Sequence, residues 1–329
     1  MITTEKPSIE IPSPAASPIP LGSLKIRERA GDRIFRYAML AFGLVTIGLA
    51  IAIFWELYRN SYLAWNKFGF HFLIDRVWDP VLDEYGALPF VYGTLVSSFI
   101  ALLIAVPFGV GSAIFLTELA PKKIAGVVTF LIELLAAIPS VILGLMGIFV
   151  LVPAVKFIQP FMIKYFSFIP LFTGFPYGIG LFTAGLILAI MILPTITSIS
   201  RDVILSTPQQ LKEAALGLGS THWEMVRMVI LPYSRSGIFG SIFLALGRAL
   251  GETMAVTMVI GNTPQISASL FDPAYSMAAV IANEFAEATS DMYVHALIAI
   301  GLTLFGITIV INGLARLLIY KTTFKTKRA

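Results

Sequence analysis

Arg248 and Glu252 stand in an otherwise apolar run, residues 236–261. A charge at the middle of a bilayer costs about 2.5–3.5 kcal/mol on insertion scales, and from halfway along such a run an arginine cannot easily reach either interface. Their four-residue spacing puts both side chains on one helical face, one turn apart, so that they can pair. Two chemistries fit. One is a buried ion pair that fixes helix packing. The other is a path for an anion. A guanidinium is a planar fork of donors matched to phosphate or carboxylate oxygens. Glu252 would hold Arg248 when no anion is present and keep anion binding weak, as release requires. Glu133 is a further charge in an apolar run, 124–152, near its cytoplasmic end. A gating or substrate role there competes with a helix–helix hydrogen bond or snorkelling.

A different chemistry is expected of the polar segment 201–235. Thr207-Pro208-Gln209-Gln210 has the form of a helix start, with Thr207 as cap, Pro208 at the first helical position and Gln210 closing a capping box. Leu211, Ala214, Ala215 and Leu218 follow at i, i+3, i+4 and i+7, an apolar stripe on a short helix. Gly217 and Gly219 stop it. Thr221-His222-Trp223-Glu224 opens a second helix with another capping box, and Pro232 closes it. Such a stripe can lie on lipid or dock against a protein. The small Ala214 and Ala215 favour docking, because they cover little lipid and let a partner approach the backbone.

Other chemistries are excluded. There is no cysteine, so disulfides, thiolate metal sites and cysteine nucleophiles are ruled out. His71, His222 and His295 are scattered, and neither metal-ligand spacing nor a catalytic cluster is present. No Gly-x4-Gly-Lys-[Ser/Thr] phosphate loop occurs, so any ATP is hydrolysed by another chain.

The elements that position these residues are membrane helices. The chain of 329 residues is 57% apolar and 13% charged, about half the charge of a soluble protein. Apolar runs of span length recur throughout. The reading is an all-α polytopic membrane protein with six spans, at 37–57, 89–119, 124–152, 177–199, 236–261 and 293–320. Residues 1–23, with five prolines, form a disordered tail. Residues 24–58 are a basic segment and the first span, too long and too late in the chain for a signal peptide. Residues 59–88 are an outer loop whose Trp65, Trp78 and Tyr85 suit an interfacial belt. Residues 89–320 are the core, and 321–329 a basic tail. Gly93, Gly109 and Gly111 offer close helix contacts in the second span. Residues 153–176 form a Phe- and Pro-rich connection, and 263–290 an acidic loop. Seventeen of the 23 Lys and Arg then fall on one side together with both termini, which the positive-inside rule makes cytoplasmic. The net charge of +4 is accounted for by these flanks and implies no nucleic acid.

Two motifs carry a resemblance. Glu213-Ala214-Ala215, three residues, Gly219, nine residues, Val229, one residue, Leu231-Pro232 is similar to the EAA loop of ABC-importer permeases, with Val229 where that family has Ile. The stretch 247–262, GRALGETMAVTMVIGN, resembles the permeases of phosphate-specific importers, as do GALPFVYGTL at 86–95 and ELLAAIPSV at 133–141. The resemblance covers roughly 32–320. It implies the type I (MetI-like) importer-permease fold with an extra N-terminal helix, in a bacterial inner membrane. It implies substrate passage by Arg248 and Glu252, and coupling through Glu213, Ala214, Ala215 and Gly219. Its implied partners are a homologous permease subunit, a pair of ATPase subunits that carry the ATP and magnesium, and a periplasmic phosphate-binding protein. This chain would bind no cofactor and do no covalent chemistry. A permease for sulfate, molybdate or phosphonate is the alternative within the class, and a proton-coupled secondary transporter the alternative outside it.

Overall fold

The computed structural model describes residues 30–166 and 168–326. The expected Pro-rich tail, the basic stretch up to residue 29 and the last three residues lie outside the described residues. Contacts group residues 1–52 and 53–329 into two units. Most of the first helix, α1 (Ala30–Asn60), belongs to the first. It is apolar all round, as a membrane span is, and Asp32 in its first turn and Arg59 in its last complement the helix dipole.

The second unit holds the remaining helices: α2 (Tyr62–Phe68), α3 (Leu88–Ile114), α4 (Lys122–Ala137), α5 (Ser140–Met146), α6 (Val152–Phe166), α7 (Leu181–Leu205), α8 (Gln209–Gly217), α9 (His222–Met225), α10 (Leu231–Leu250), α11 (Met254–Ile260), α12 (Met277–Glu284) and α13 (Asp291–Thr326). The short strands β1 (Trp78–Asp79) and β2 (Glu84–Tyr85) form an antiparallel hairpin before α3. Six helices among the described residues are long and apolar enough to cross a membrane.

The second unit is built around α7. Ile187, Leu188, Ile192 and Ile196 are fully buried in the main apolar cluster. The orphan donors at its N-terminus, Gly180, Leu181 and Phe182, find the carbonyls of Val259, Asp272 and Leu270. α3 runs parallel to it, and the contact is close because of small residues. A Cβ on Gly185 would lie 2.5 Å from Ile100, and one on Gly109 would lie 2.8 Å from Ile196. α10 runs antiparallel, with Ser241 hydrogen-bonded to Ser200 at 3.0 Å and Ser234 to Thr207 at 3.3 Å.

The sequence-based boundaries need correcting in several places. The third span is two helices. α4 ends at Ala137, and Ile138 is extended before Pro139, because a residue preceding proline is disfavoured in helix. By composition alone 140–166 is a span. By contacts, 122–151 is the stretch that runs alongside α7. Glu133 lies near Arg201, Gly147 packs on Ile187, and Gln159 already accepts from the Gly178 N–H, beyond the Leu181 end. The expected Phe- and Pro-rich connection therefore begins as the helix α6. The fourth span extends to Leu205, which puts Pro194 near its middle rather than its end. Gly93 approaches Tyr275, and Gly111 has nothing within 4 Å, so of the three glycines only Gly109 seats another helix. The helix of the last span continues to Thr326, six residues past its expected end.

Residues 59–88 are more than a belt of aromatics. Phe72 and Tyr85 are buried against Phe90, Leu297 and Ile300. Trp78 sits edge-on to Tyr85 and Phe90, and its indole N–H donates to Glu284 at 2.9 Å. Tyr293 donates to the same carboxylate at 2.6 Å. Burial pushes the Tyr85 phenol up to about 12. The acidic loop 263–290 contains the helix α12, buried in its first turn and capped by Ser276 accepting from Ala279.

Candidate functional site

The expected fifth span is a broken helix, and both of its charges are at the break. α10 stops at Leu250, residues 251–253 are not helical, and α11 starts at Met254. Arg248 is in the last turn of α10. Glu252 precedes α11, and its Oε1 accepts from the Ala255 N–H at 3.2 Å. Each charge therefore sits at the helix end whose dipole stabilises it, cation at a C-terminus and carboxylate at an N-terminus. The expected Arg248–Glu252 pairing is overturned: the i,i+4 geometry exists only on a continuous helix, and this one ends between them. No ion pair joins them among the described residues.

Arg248 is exposed. Its guanidinium donates a long contact, 3.4 Å, to Thr195 Oγ1. Thr195 is fourteen residues from Leu181 and ten from Leu205, so Arg248 stands about 15 Å from the Leu205 end of α7. That level is near the middle of α7. α10 begins well beyond the Leu205 end, so its last turn only reaches the middle of α7.

Glu133 is apart from these two. It is on α4, mostly exposed, with Arg201 at 4.0 Å as its nearest cation. Arg201 is six residues from Thr195 along α7, about 9 Å. Glu133 and Arg201 both line an open cavity of about 430 Å³ together with Thr117, Lys122 and Thr129.

The polar segment forms two short helices joined by a turn. Thr221 and Glu224 make the reciprocal capping box. The first expected cap does not form: Pro208, not Thr207, is the cap residue, and the Thr207 hydroxyl is spent on Ser234. Gly219 has φ +88° with open space around it. Glycine is required there by the backbone and not by crowding. Most of the stripe faces outward, with Leu218 90% and Leu211 45% exposed, and Trp223 of α9 is 64% exposed. Glu213 and Ala214 share that exposed side. Ala215 does not. It packs inward on the cluster of Ala113, Ile204, Met225 and Ile230. Beside it Lys212 Nζ reaches Glu118 Oε1 at 2.6 Å, with the side chains only 12% and 9% exposed.

A family model described as the binding-protein-dependent transport system inner membrane component matches residues 105–323. The chain belongs to this family. It is 50% identical over 300 residues to "Phosphate transport system permease protein PstC" of Mesorhizobium japonicum, covering 90% of this chain and 92% of that protein. A protein of the same description from Pasteurella multocida is 49% identical over 302 residues, covering 90% and 94%. One from Xylella fastidiosa is 44% identical over 324 residues, covering 96% and 98%. Among solved structures, a bacterial alginate ABC transporter in complex with its pentasaccharide-bound periplasmic protein superposes with a TM-score of 0.56 at 19% identity, covering 88% of this chain and 96% of that one. That likeness shows the fold alone.

Within the permease, sequence reasoning missed Thr195 and the Lys212–Glu118 pair. Thr195 is one hydroxyl among several on α7, marked only by following Pro194. Lys212 and Glu118 are 94 residues apart, and Glu118 lies at the very end of the apolar run 89–119, where a charge is unremarkable.

Proposed function

We propose that this chain is the permease subunit of an ATP-driven importer of inorganic phosphate. The observation that carries the proposal is the identity of about half to phosphate transport permeases over nine-tenths of the chain. The broken helix supports it. Discontinuous spans commonly form substrate sites in transporters, because helix ends present charge and unpaired backbone to the path. Arg248, exposed beside Thr195, supplies donors for a tetrahedral oxyanion. Glu252 sets a negative charge near it and keeps the site shallow enough to release.

The path lies between this subunit and a homologous permease. Both termini are cytoplasmic, in keeping with the clustering of Lys and Arg. α8 and the turn at Gly219 dock in a cleft of a separate ATPase subunit, which binds the ATP and magnesium. The exposed Leu211, Glu213, Ala214 and Leu218 form that contact, and Ala215 anchors the helix to its own subunit. An extracytoplasmic phosphate-binding protein delivers the substrate to the outer loops.

The test is uptake of labelled phosphate by cells lacking their own phosphate importers and expressing this chain with its neighbouring subunits. Uptake is expected to persist in excess sulfate, molybdate and phosphonate. It is expected to stop when ATP is depleted with the proton gradient intact. Uptake that follows another anion overturns the substrate, and uptake that follows the proton gradient overturns the coupling.

A further inference from the structure

The docking helix is tied to its own subunit by little. In α8 only Lys212 and Ala215 turn inward; the other seven residues are exposed. Ala215 contributes a small apolar contact. Lys212 contributes a charge, buried against Glu118. Glu118 belongs to the π-helical turn Phe115–Leu119, which continues α3. α3 packs along the length of α7, and Thr195 of α7 meets Arg248. One buried ion pair thus joins the surface helix to the bundle that carries the arginine.

We propose that Lys212 and Glu118 are positioning residues that make α8 and the end of α3 move as one body, so that a displacement imposed on α8 is delivered to α3 and α7. The physical reason is the cost of separating the pair. Two charges nine-tenths withdrawn from water lose their compensation together if α8 slides off the α3 end. An apolar contact of the same size would slip gradually. A short charge-assisted bond, 2.6 Å long, holds one geometry. Lys212 also lies next to Glu213, which faces the other way, so one turn of helix receives the push and the next side chain passes it on.

The inference rests on the docking reading of α8 and is tested so that the two can fail separately. The whole complex, with its partner subunits, is reconstituted in proteoliposomes, and phosphate moved per ATP hydrolysed is measured. The variants are Lys212→Met, Glu118→Gln and the swap Lys212→Glu with Glu118→Lys. The single variants are expected to keep hydrolysing ATP while phosphate moved per ATP falls about ten-fold or more, within the range of measured coupling energies. The swap is expected to recover most of the ratio. A residue that only stabilises the fold would lower transport and hydrolysis together and leave the ratio alone. Single variants that assemble and keep the wild-type ratio overturn the proposal. If the single variants do not assemble, the swap decides: restored assembly with a restored ratio supports it, and failure to restore either overturns it. Leu218→Asp, on the exposed face, serves as the control. If it leaves transport coupled, the docking reading itself fails. If it uncouples transport while Lys212→Met does not, only the ion-pair inference fails.

Discussion

Arg248 and Glu252, four residues apart in sequence, stand on opposite sides of a helix break, one closing α10 and the other capping α11 through the Ala255 N–H at 3.2 Å. Charges that paired with each other would leave nothing for a passing anion. Charges held by separate helix ends leave the guanidinium exposed, with a long contact to Thr195 Oγ1. The break therefore places each charge at the helix end whose dipole stabilises it and leaves the Arg248 side chain exposed.

Glu252→Ala removes the carboxylate that caps α11. The expected loss is about 1 kcal/mol, typical of an N-terminal capping group. It is read as a lower unfolding temperature of the purified complex. Glu252→Gln, which retains an acceptor oxygen, is expected to keep most of that stability. With the negative charge gone, it is also expected to lower the phosphate concentration for half-maximal uptake and to slow turnover, because the anion leaves a deeper well.

Gly219→Val places a β-branched residue at φ +88°. The strain is about 1–2 kcal/mol, confined to an exposed turn. The expected outcome is an assembled permease whose ATPase activity no longer drives phosphate uptake, measured as hydrolysis and transport in the same vesicles. Equal loss of both would mean that the turn serves folding only.

Gly185→Ala opposes two effects. Alanine gains about 1 kcal/mol of helix propensity. Its Cβ, however, would sit 2.5 Å from Ile100 in the α3–α7 seam, and overpacking of this kind costs about 1–3 kcal/mol. The net effect expected is destabilisation, seen as a lower melting temperature in detergent. An unchanged or raised temperature would show that the seam yields.

Trp78→Phe keeps the ring packing against Tyr85 and Phe90 and deletes the donor to Glu284. Hydrogen bonds to charged groups contribute about 1.5–3 kcal/mol, and Tyr293 remains as a donor, so a loss near the low end is expected. Fluorescence-detected thermal unfolding measures it. The companion Tyr293→Phe should cost a similar amount, and the two together more than the sum, because the carboxylate is then left with neither donor.

What was legible in the sequence was local. The capping box at Thr221 and Glu224 and the turn at Gly219 are written in neighbouring residues and fold as read. The six spans follow from apolar length. The break after Leu250 is not written in the same way. Residues 236–261 carry no other charge and only scattered Ser and Thr, and the breaker at that point is Gly251. The interruption is held instead by distant partners, with Val259 accepting from Gly180 and Ile260 from Ala274. Pro139 is a readable stop signal inside the run 124–152, and α4 ends before it. The aromatic residues 65–85 looked interfacial because the sequence cannot show that α12 and α13 pack against them. Lys212 stands immediately before the docking motif, but its partner is 94 residues away.

The central claim is that the anion passes the helix break at Arg248. The most direct measurement is labelled phosphate uptake by the reconstituted complex carrying Arg248→Ala or Arg248→Lys, matched for assembly and for ATPase activity. The exposed side chain predicts normal assembly for both. It predicts loss of uptake in the alanine variant and partial uptake in the lysine variant, which keeps the charge without the planar fork. Assembled Arg248→Ala complexes that import phosphate at the wild-type rate would contradict it.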